Sequence, residues 1–525
     1  QDLSEIEPGG YLFYDSTRPM PESAFRDGVH VIGMPLTAIC NATYEDARQR
    51  QLFKNIMYVG ALSMLLGISA DVVEKLFAEQ YRGKERLLDS NIRAFTAGRE
   101  FARDHLDPIG LAVKRANKVG DGIFIDGNSA AALGCVYGGA TVCAWYPITP
   151  SSSLAEAFQK YCGKHRVDPA TGRNNFAIVQ AEDEIASIGM AVGAGWNGAR
   201  AFTATSGPGV SLMTEFIGLA YFAEIPVTII DVQRGGPSTG MPTRTQQADL
   251  LSCAYASHGD TKHVMLFPED PHECFEHAAA ALDLADRLQT PVFVMTDLDI
   301  GMNQRLCAPL QWDDTRGYDR GKVLSAEELE AGREFARYKD VDGDGIPWRT
   351  LPGTHPSKGA YFTRGTTRDE YARYSESGPH YVYNVQRLLK KFASAATLVP
   401  QPVLRASPYK TRLGVIYFGS TSPAMDEALA TLAEAGIHLD ALRLRAFPFP
   451  HSVSEFIAAH DEVFVVEQNR DAQMRTLLVN ELQLDPALLK AVLHYDGTPI
   501  TARFIAKAIT EHVHAHAIAP KERVA

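Results

Sequence analysis

Phe176–Gly209 reads FAIVQAEDEIASIGMAVGAGWNGARAFTATSGPG. An apolar run, FAIVQA, stops at three acids, Glu182-Asp183-Glu184, and a small-residue helical stretch follows; a second apolar run, AFTATS, then stops at a glycine-proline turn. Short apolar runs alternating with helical stretches predict βαβ units, and therefore a parallel sheet with helices on its faces. The same alternation extends outward over residues 119–305, through TVCAW, PVTIIDV, HVMLF and PVFVMTD. The expected fold is α/β, a doubly wound parallel sheet. In such a sheet ligands bind beyond the carboxyl ends of the strands, where helix N-termini and free backbone amides converge. Three polar loops fall there: Tyr146-Pro-Ile-Thr-Pro-Ser151, Glu182–Glu184, and Arg234-Gly-Gly-Pro-Ser-Thr-Gly-Met-Pro-Thr243. Together they predict one site.

The flanks differ from this centre. Residues 1–118 hold a few short apolar segments and a helix-rich stretch from Arg48 to His105, with Met57, Ala61, Met64 and Leu65 at helical spacing. Residues 306–405 are rich in Arg, Asp, Gly, Pro and Tyr with little periodicity, which predicts a long polar connection and a candidate lid. From Arg412 a smaller α/β pattern with four strands (LGVIYFG, LDALRLR, EVFVVEQN, AVLHYDG) runs to about 513. Three domains are expected, at 1–118, 119–405 and 406–525.

With 525 residues, 45% hydrophobic and 22% charged, the chain has the composition of a soluble globular protein. A formal charge of -12 argues against a nucleic-acid footprint, which needs a basic face. No apolar run reaches 18 residues, so no membrane span is expected. The seven cysteines, at 40, 135, 143, 162, 253, 274 and 307, never form C-x-x-C, which predicts reduced buried thiols in a cytoplasmic protein and no cysteine cluster site within this chain. The chain begins with Gln, and residues preceding it are expected.

Glu182–Glu184 could serve only the helix dipole, worth about 0.3–1 kcal/mol. Gly189, Gly193, Gly195 and Gly198, however, weaken the helix that follows and fit a place where a ligand or another backbone comes close. Arg234 could be a solvated surface residue, but at a strand end beside Gly235 and Gly236 it suits bidentate anion binding. Thr149, Ser151, Ser152 and Thr243 would add donors, and the serines could also cap the helix beginning near Ser152. Asp340–Gly345 opens like a calcium loop but has Leu351 where a glutamate is needed, so it reads as a turn. Gly-Asp-Gly at 120–122 and 343–345 lacks the downstream Asn of a magnesium-diphosphate motif, and no dinucleotide or P-loop fingerprint follows a strand. His512, His514 and His516 read as a solvated tail.

Taken in order, Y146-P-I-T-P-S-S, E182-D-E-I-A-S-I-G-M-A-V-G-A, T205-S-G-P-G-V-S-L-M, R234-G-G-P-S-T-G-M-P-T-R-T-Q-Q-A-D-L and V466-E-Q-N resemble the alpha subunit of 2-oxoacid:ferredoxin oxidoreductases, closest to the 2-oxoglutarate type. Residues 1–118, including KNIMYVGALSMLLGI, resemble the second half of the gamma domain fused in front of some members, without its glycine-rich strand-turn-helix. The resemblance implies a pyrimidine-type thiamine diphosphate-binding domain and a smaller C-terminal domain like that of transketolase. It also implies a beta subunit carrying Mg2+ and a [4Fe-4S] cluster, a second alpha-beta unit in a heterotetramer, coenzyme A as co-substrate, and ferredoxin as acceptor. By resemblance Glu184, rather than Glu182, is the catalytic carboxylate that activates the cofactor. Tyr146, Pro147, Ile148, Ser206 and Gly207 join it in binding the cofactor, and Thr149, Arg234 and Thr243 bind the substrate.

The reaction implied interconverts 2-oxoglutarate plus coenzyme A with succinyl-CoA plus CO2; in the carboxylating direction this is carbon dioxide fixation of the reductive TCA cycle. An Arg at 234 suits a second carboxylate, which pyruvate lacks. The alternatives are the same chemistry on pyruvate or branched 2-oxoacids, a transketolase-type enzyme without ferredoxin, and a scaffold subunit without catalysis.

Overall fold

The computed structural model describes residue 3, residues 6–116 and residues 118–518, with side chains described up to 515. The chain divides into two compact units, 1–120 and 121–525.

In the first unit β1 (Tyr11–Asp15) pairs in parallel with β2 (His30–Met34). The helix-rich stretch resolves into helices Ala47–Leu65, Ala70–Gln80 and Glu85–His105, preceded by Leu36–Thr43. Two glycines let the long helices meet backbone to backbone: a Cβ on Gly60 would collide with the Phe95 carbonyl, and one on Gly98 with the Met57 carbonyl. Met34, Leu36, Cys40, Met57, Ala61 and Ala102 fill the core beneath them.

The second unit contains β3 (Ile123–Ile125), β4 (Val142–Trp145), β5 (Ala177–Gln180), β6 (Ala201–Thr205), β7 (Val227–Gln233), β8 (Val264–Leu266), β9 (Pro291–Asp297) and β10 (Arg305–Cys307). Next come β11 (Val403–Arg405), β12 (Leu413–Phe418), β13 (Asp440–Leu444), β14 (Ala446–Phe447), β15 (Glu462–Glu467) and β16 (Leu489–Leu493). Seven strands form one sheet in the order β14-β8-β9-β7-β6-β4-β5, parallel except for β14. Its central strand β7 is buried along its whole length, as a strand covered on both faces must be. The order reverses at β4, which has β5 on one side and β6 on the other. β4 and β6 pair only at Val142–Ala201 and Cys143–Phe202, so they part toward their carboxyl ends and open a crevice at this switch point. Four helices matter to the crevice: α1 (Ser152–His165), α2 (Glu184–Trp196), α3 (Gly207–Ala223) and α4 (Leu250–Ala254).

Five strands, not the expected four, form the second sheet, in the order β11-β13-β12-β15-β16. The extra strand β11 adds antiparallel to the edge through three residues, too short to read from sequence. The C-terminal chain also returns β14 to the large sheet, so no clean boundary near residue 405 separates the two sheets.

Residues 306–405 are not without periodicity: Gly378–Ala395 forms an 18-residue helix, α5. Its buried face carries Asn384, Arg387 and Lys391. Arg387 and Lys391 pair with Glu224, which is itself fully buried just past α3. Arg368 donates to the Phe222 carbonyl, Tyr338 to that of Ala223 at 3.2 Å and Arg337 to that of Glu224 at 2.9 Å. The segment therefore clamps the C-terminal end of α3, satisfying carbonyls that a helix end leaves without partners. A helix of 17 residues is about 25 Å long, which sets this clamp far from the first turn of α3.

Two smaller expectations change in detail. Asp340–Gly345 is a turn, and Lys322 bonds Asp342 and Asp344 at 2.6 and 2.9 Å. His512 is not a solvated tail residue: it pairs with Glu462 at 3.1 Å and packs edge-on against Phe464. His514 is exposed, and the His516 side chain lies outside the described residues. All seven cysteines are free and buried, and among the described residues no helix is long and apolar enough to cross a membrane.

Candidate active site

The three predicted loops lie beyond the carboxyl ends of β4, β5 and β7, with the β6–α3 turn between them. The three acids of Glu182–Glu184 divide their work. Glu182 is exposed; Asp183 caps α2, its carboxylate accepting from the Ala186 amide at 2.7 Å; Glu184, the first helical residue, is only 7% exposed. The Glu184 carboxylate receives no hydrogen bond from the described residues, so its acceptors are free for a ligand. What brings it to the crevice is the bare Cα of Gly209: a Cβ there would overlap Thr205 Oγ1 and stand 2.8 Å from Glu184 Cγ. Ser206, the residue before α3, is fully buried and its hydroxyl has no partner.

The glycines of α2 separate on inspection. Gly195 meets a backbone, since a Cβ there would collide with the Pro226 carbonyl, and Gly198 ends the helix at a φ of +92°. Gly189 lies 3.1 Å from the Phe216 ring by the same measure, whereas Gly193 faces open space.

Arg234 follows β7 and is 9% exposed. Its Nη1 donates to the Thr149 carbonyl at 2.7 Å, tying the β7 end to the Tyr146–Ser151 loop, and its buried Nε has no partner. Asn128 holds the same loop by donating to the Pro150 carbonyl at 2.8 Å. Neither serine of the loop caps α1 through its side chain, contrary to expectation: Ser151 and Ser152 both turn their hydroxyls back to the Ile148 carbonyl, at 3.0 and 3.3 Å. Tyr146, Pro147 and Thr149 are exposed and Ile148 half-buried. Thr243 is exposed at the far end of its loop, and among the described residues it makes no hydrogen bond to Thr149, Arg234 or Glu184. The structure thus brings Thr149 and Arg234 together and sets Glu184 against the α3 turn, while the Arg234–Thr243 loop folds back on itself, the Gly235 amide donating to the Arg244 carbonyl at 3.0 Å.

Sequence reading missed two carboxyls close to Arg234, Asp231 fully buried and Asp249 half-buried. Asp231 lies within β7, and Asp249 precedes α4. Burial, and then their mutual repulsion, pushes the Asp231 carboxyl far up; burial also raises Asp249, against the pull of the Arg234 guanidinium. Asp249 presses against the start of α3, where a Cβ on Gly207 would be 2.5 Å from Asp249 Oδ1. The one available signal was a charged residue inside an otherwise apolar strand, VTIIDVQ. The segment bearing Asp249 is locked from the second sheet: the Gln468 carbonyl accepts from the Gln247 amide at 2.8 Å, Asn469 donates to the Gln247 carbonyl at 3.0 Å, and Gln473 to that of Ala248 at 2.7 Å. The Val466–Asn469 motif therefore positions this segment.

Several apolar side chains are exposed on the elements that build the crevice. Tyr146, Val179, Ile185, Met190 and Leu212 are 36–50% exposed, on the β4 loop, β5, α2 and α3. Such a patch beside a polar site marks a surface for a partner.

The family model for the thiamine diphosphate-binding region of pyruvate flavodoxin/ferredoxin oxidoreductases matches residues 133–386, and a second, pyruvate ferredoxin/flavodoxin oxidoreductase, matches residues 1–101. Subunit alpha of 2-oxoacid:ferredoxin oxidoreductase 2 from Aeropyrum pernix is 30% identical over 553 residues, covering 96% of this chain and 84% of that one. Subunit KorA of 2-oxoglutarate synthase from Methanocaldococcus jannaschii is 32% identical, over 66% of this chain and 88% of its own. The structure of 2-oxoglutarate:ferredoxin oxidoreductase from Magnetococcus marinus, with 2-oxoglutarate, coenzyme A and succinyl-CoA bound, superposes with a TM-score of 0.83 at 27% identity, covering 97% of this chain and 85% of that one. The chain belongs to the family of 2-oxoacid:ferredoxin oxidoreductase alpha subunits.

Proposed function

We propose that this chain is the alpha subunit of a 2-oxoglutarate:ferredoxin oxidoreductase, interconverting 2-oxoglutarate plus coenzyme A with succinyl-CoA plus CO2. The observation that carries the reading is Glu184, a buried carboxylate with unused acceptors held at the switch point by the missing side chain of Gly209. Its free acceptors and the adjoining buried Ser206 hydroxyl fit the aminopyrimidine end of thiamine diphosphate. When bound, that cofactor supplies the nucleophilic carbon and electron sink that decarboxylation of a 2-oxoacid needs. Glu184 would hold the pyrimidine end through its free acceptors, and there it could hold or move a proton. Tyr146, Pro147, Ile148 and Gly207 line the same cradle. The Thr149 hydroxyl donates to the carboxylate beside the keto group, and Arg234 pairs with the distal carboxylate. Thr243, exposed on the loop that folds back to Gly235, adds a hydroxyl to the substrate's distal end in this reading.

The exposed apolar rim supports a beta subunit covering the crevice, carrying Mg2+ and a [4Fe-4S] cluster that hands electrons to ferredoxin. Two alpha-beta units make the assembly, and the setting is cytoplasmic. The domain reading is a gamma-type portion at 1–118, a pyrimidine-binding region at 119–405 and a smaller region at 406–525, the last two sharing one compact unit. Supplying the co-purified enzyme with coenzyme A and 2-oxoglutarate, pyruvate or 2-oxoisovalerate, with viologen reduction as readout, tests the substrate. Reduction fastest with 2-oxoglutarate is expected. Preference for pyruvate or 2-oxoisovalerate would move the substrate and leave the site, and no reduction with any of them would overturn the ferredoxin-linked reading.

A further inference from the structure

We propose that a second crevice, between β12 and β15, is a receptor for the Gln247 side chain, and that Gln247 seated there is a positioning residue that holds the Arg234 guanidinium at the substrate's distal carboxylate. The inference rests on the reading of Arg234 as that carboxylate's partner. The second sheet repeats the geometry of the first. Its order reverses at β12, which has β13 on one side and β15 on the other. β12 and β15 stay paired only as far as Ile416–Val465, whereas β12 keeps β13 through Phe418–Leu444 and β15 keeps β16 through Glu467–Leu493. The two strands therefore part at their carboxyl ends, and a crevice at such a switch point is where a parallel sheet takes a ligand. Here the chain fills that crevice itself, with a residue from the connection between β7 and α4.

Gln247 is 1% exposed and commits every polar group it has to this crevice. Its amide donates to the Gln468 carbonyl at 2.8 Å, its carbonyl accepts from Asn469 Nδ2 at 3.0 Å, and its Oε1 accepts from the Gln468 amide at 3.1 Å. Its Nε2 donates to the Phe418 carbonyl and to Ser420 Oγ, each at 3.4 Å. Gly419 makes the room: its φ is +58°, and a Cβ there would stand 3.0 Å from Gln247 Nε2. The receptor is itself braced, because Ser420 accepts from Gln468 Nε2 at 2.8 Å and donates to Asp297 at the end of β9. From Gln247 the hold passes to Arg234 through the closure of the loop. Gln246 Oε1 accepts from the Gly236 amide at 3.1 Å, and the Gly235 amide donates to the Arg244 carbonyl at 3.0 Å. Arg234 is followed directly by these two glycines, which give the backbone no stiffness of its own, so the aim of its guanidinium depends on where residues 244–247 are held.

The test uses the assembled enzyme and measures kcat, KM for 2-oxoglutarate and KM for coenzyme A together. Gln247→Leu keeps much of the side-chain volume and removes its hydrogen bonds. It should raise KM for 2-oxoglutarate about tenfold, the low end of what losing a charge-assisted hydrogen bond costs, with kcat and KM for coenzyme A within about threefold of wild type. A lowered melting temperature with all three constants unchanged is the mark of a structural role alone and would overturn the proposal. In an Arg234→Gln background the same substitution should move KM by less than about twofold, because the group it positions is gone; a full further tenfold rise overturns the proposal. Gly419→Ala presses on the Gln247 amide from the second sheet and should raise KM in the same direction. A measurement on the unmodified enzyme guards against variants that fail to fold. Glutarate, which has both carboxylates and no keto carbon, is added, and hydrogen exchange is followed at the Gln468 amide, whose partner is Gln247. A ligand favoured by the seated loop must in turn favour the seat, so exchange should slow by about threefold or more; no change overturns the proposal. Arg234→Gln alone separates the two readings. If it leaves KM unchanged, the carboxylate-binding role of Arg234 fails; if it raises KM while Gln247→Leu does not, only the positioning inference fails.

Discussion

Gly209→Ala is the sharpest perturbation of the site, because the substitution adds one carbon and the structure says what it meets. The new Cβ would overlap Thr205 Oγ1 and sit 2.8 Å from Glu184 Cγ. Carbon atoms rest about 3.5–4.0 Å apart, so Glu184 must withdraw by roughly 1 Å and Thr205 must also give way. Overpacking of this kind costs about 1–3 kcal/mol, less the 0.5–1 kcal/mol or so that alanine gains over glycine within a helix. A displacement near 1 Å at a reacting group costs on the order of 100-fold in rate. The expected result is a viologen-reduction kcat down roughly 100-fold with a melting temperature lowered by a few degrees. Gly193→Ala is the control, since nothing lies within 4 Å of its Cβ, and it should leave the melting temperature equal or higher. Full turnover in Gly209→Ala with an unshifted melting temperature would refute the close approach of Glu184 to the α3 turn.

Other expectations follow from the buried charges. Glu224→Gln leaves Arg387 and Lys391 without their carboxylate, and should cost about 3–5 kcal/mol in a denaturant titration. Arg387 and Lys391 hold Glu224 well below the usual carboxylate range against its burial, so that stability is present above the unfolded pKa and lost as pH falls through the lower folded one. His263 and His277 are buried, and burial drives each down to about 4. A histidine with a depressed folded pKa loses stability as pH falls below its unfolded value of about 6.5, by up to about 3 kcal/mol each near pH 4. His263→Gln should therefore flatten the acid limb of a melting-temperature profile between about pH 6.5 and 4.

The parallel sheet was legible because fully buried strands such as VTIIDVQ and PVFVMTD are short apolar runs bounded by turns, and helices separate them. Helix α5 carries a readable period, with Leu388, Phe392 and Ala395 on its buried face, but it sits inside a long polar segment; what no local pattern records is that Arg387 and Lys391 on the same face pair with Glu224, more than 150 residues away. β11 failed for a different reason: three residues at a sheet edge carry no period at all. At the site, the loops could be placed from where the apolar runs stop, and the burial of Glu184 relative to Glu182 follows from Asp183 taking the cap. The Asp231–Asp249 pair depends on how β7, α3 and α4 meet, which no local pattern records. The glycine argument held where another backbone comes close, at Gly195, and not at Gly193.

The proposed chemistry turns on Glu184, buried with free acceptors at the switch point. The direct measurement is 2-oxoglutarate-dependent viologen reduction by the assembled enzyme carrying Glu184→Gln, with thiamine diphosphate content determined on the same preparation. The expected result is a loss of about 100-fold to 10,000-fold in kcat, the range for removing a proton-managing side chain, in an enzyme whose fold and subunit composition are unchanged. Turnover within a few-fold of wild type would contradict it.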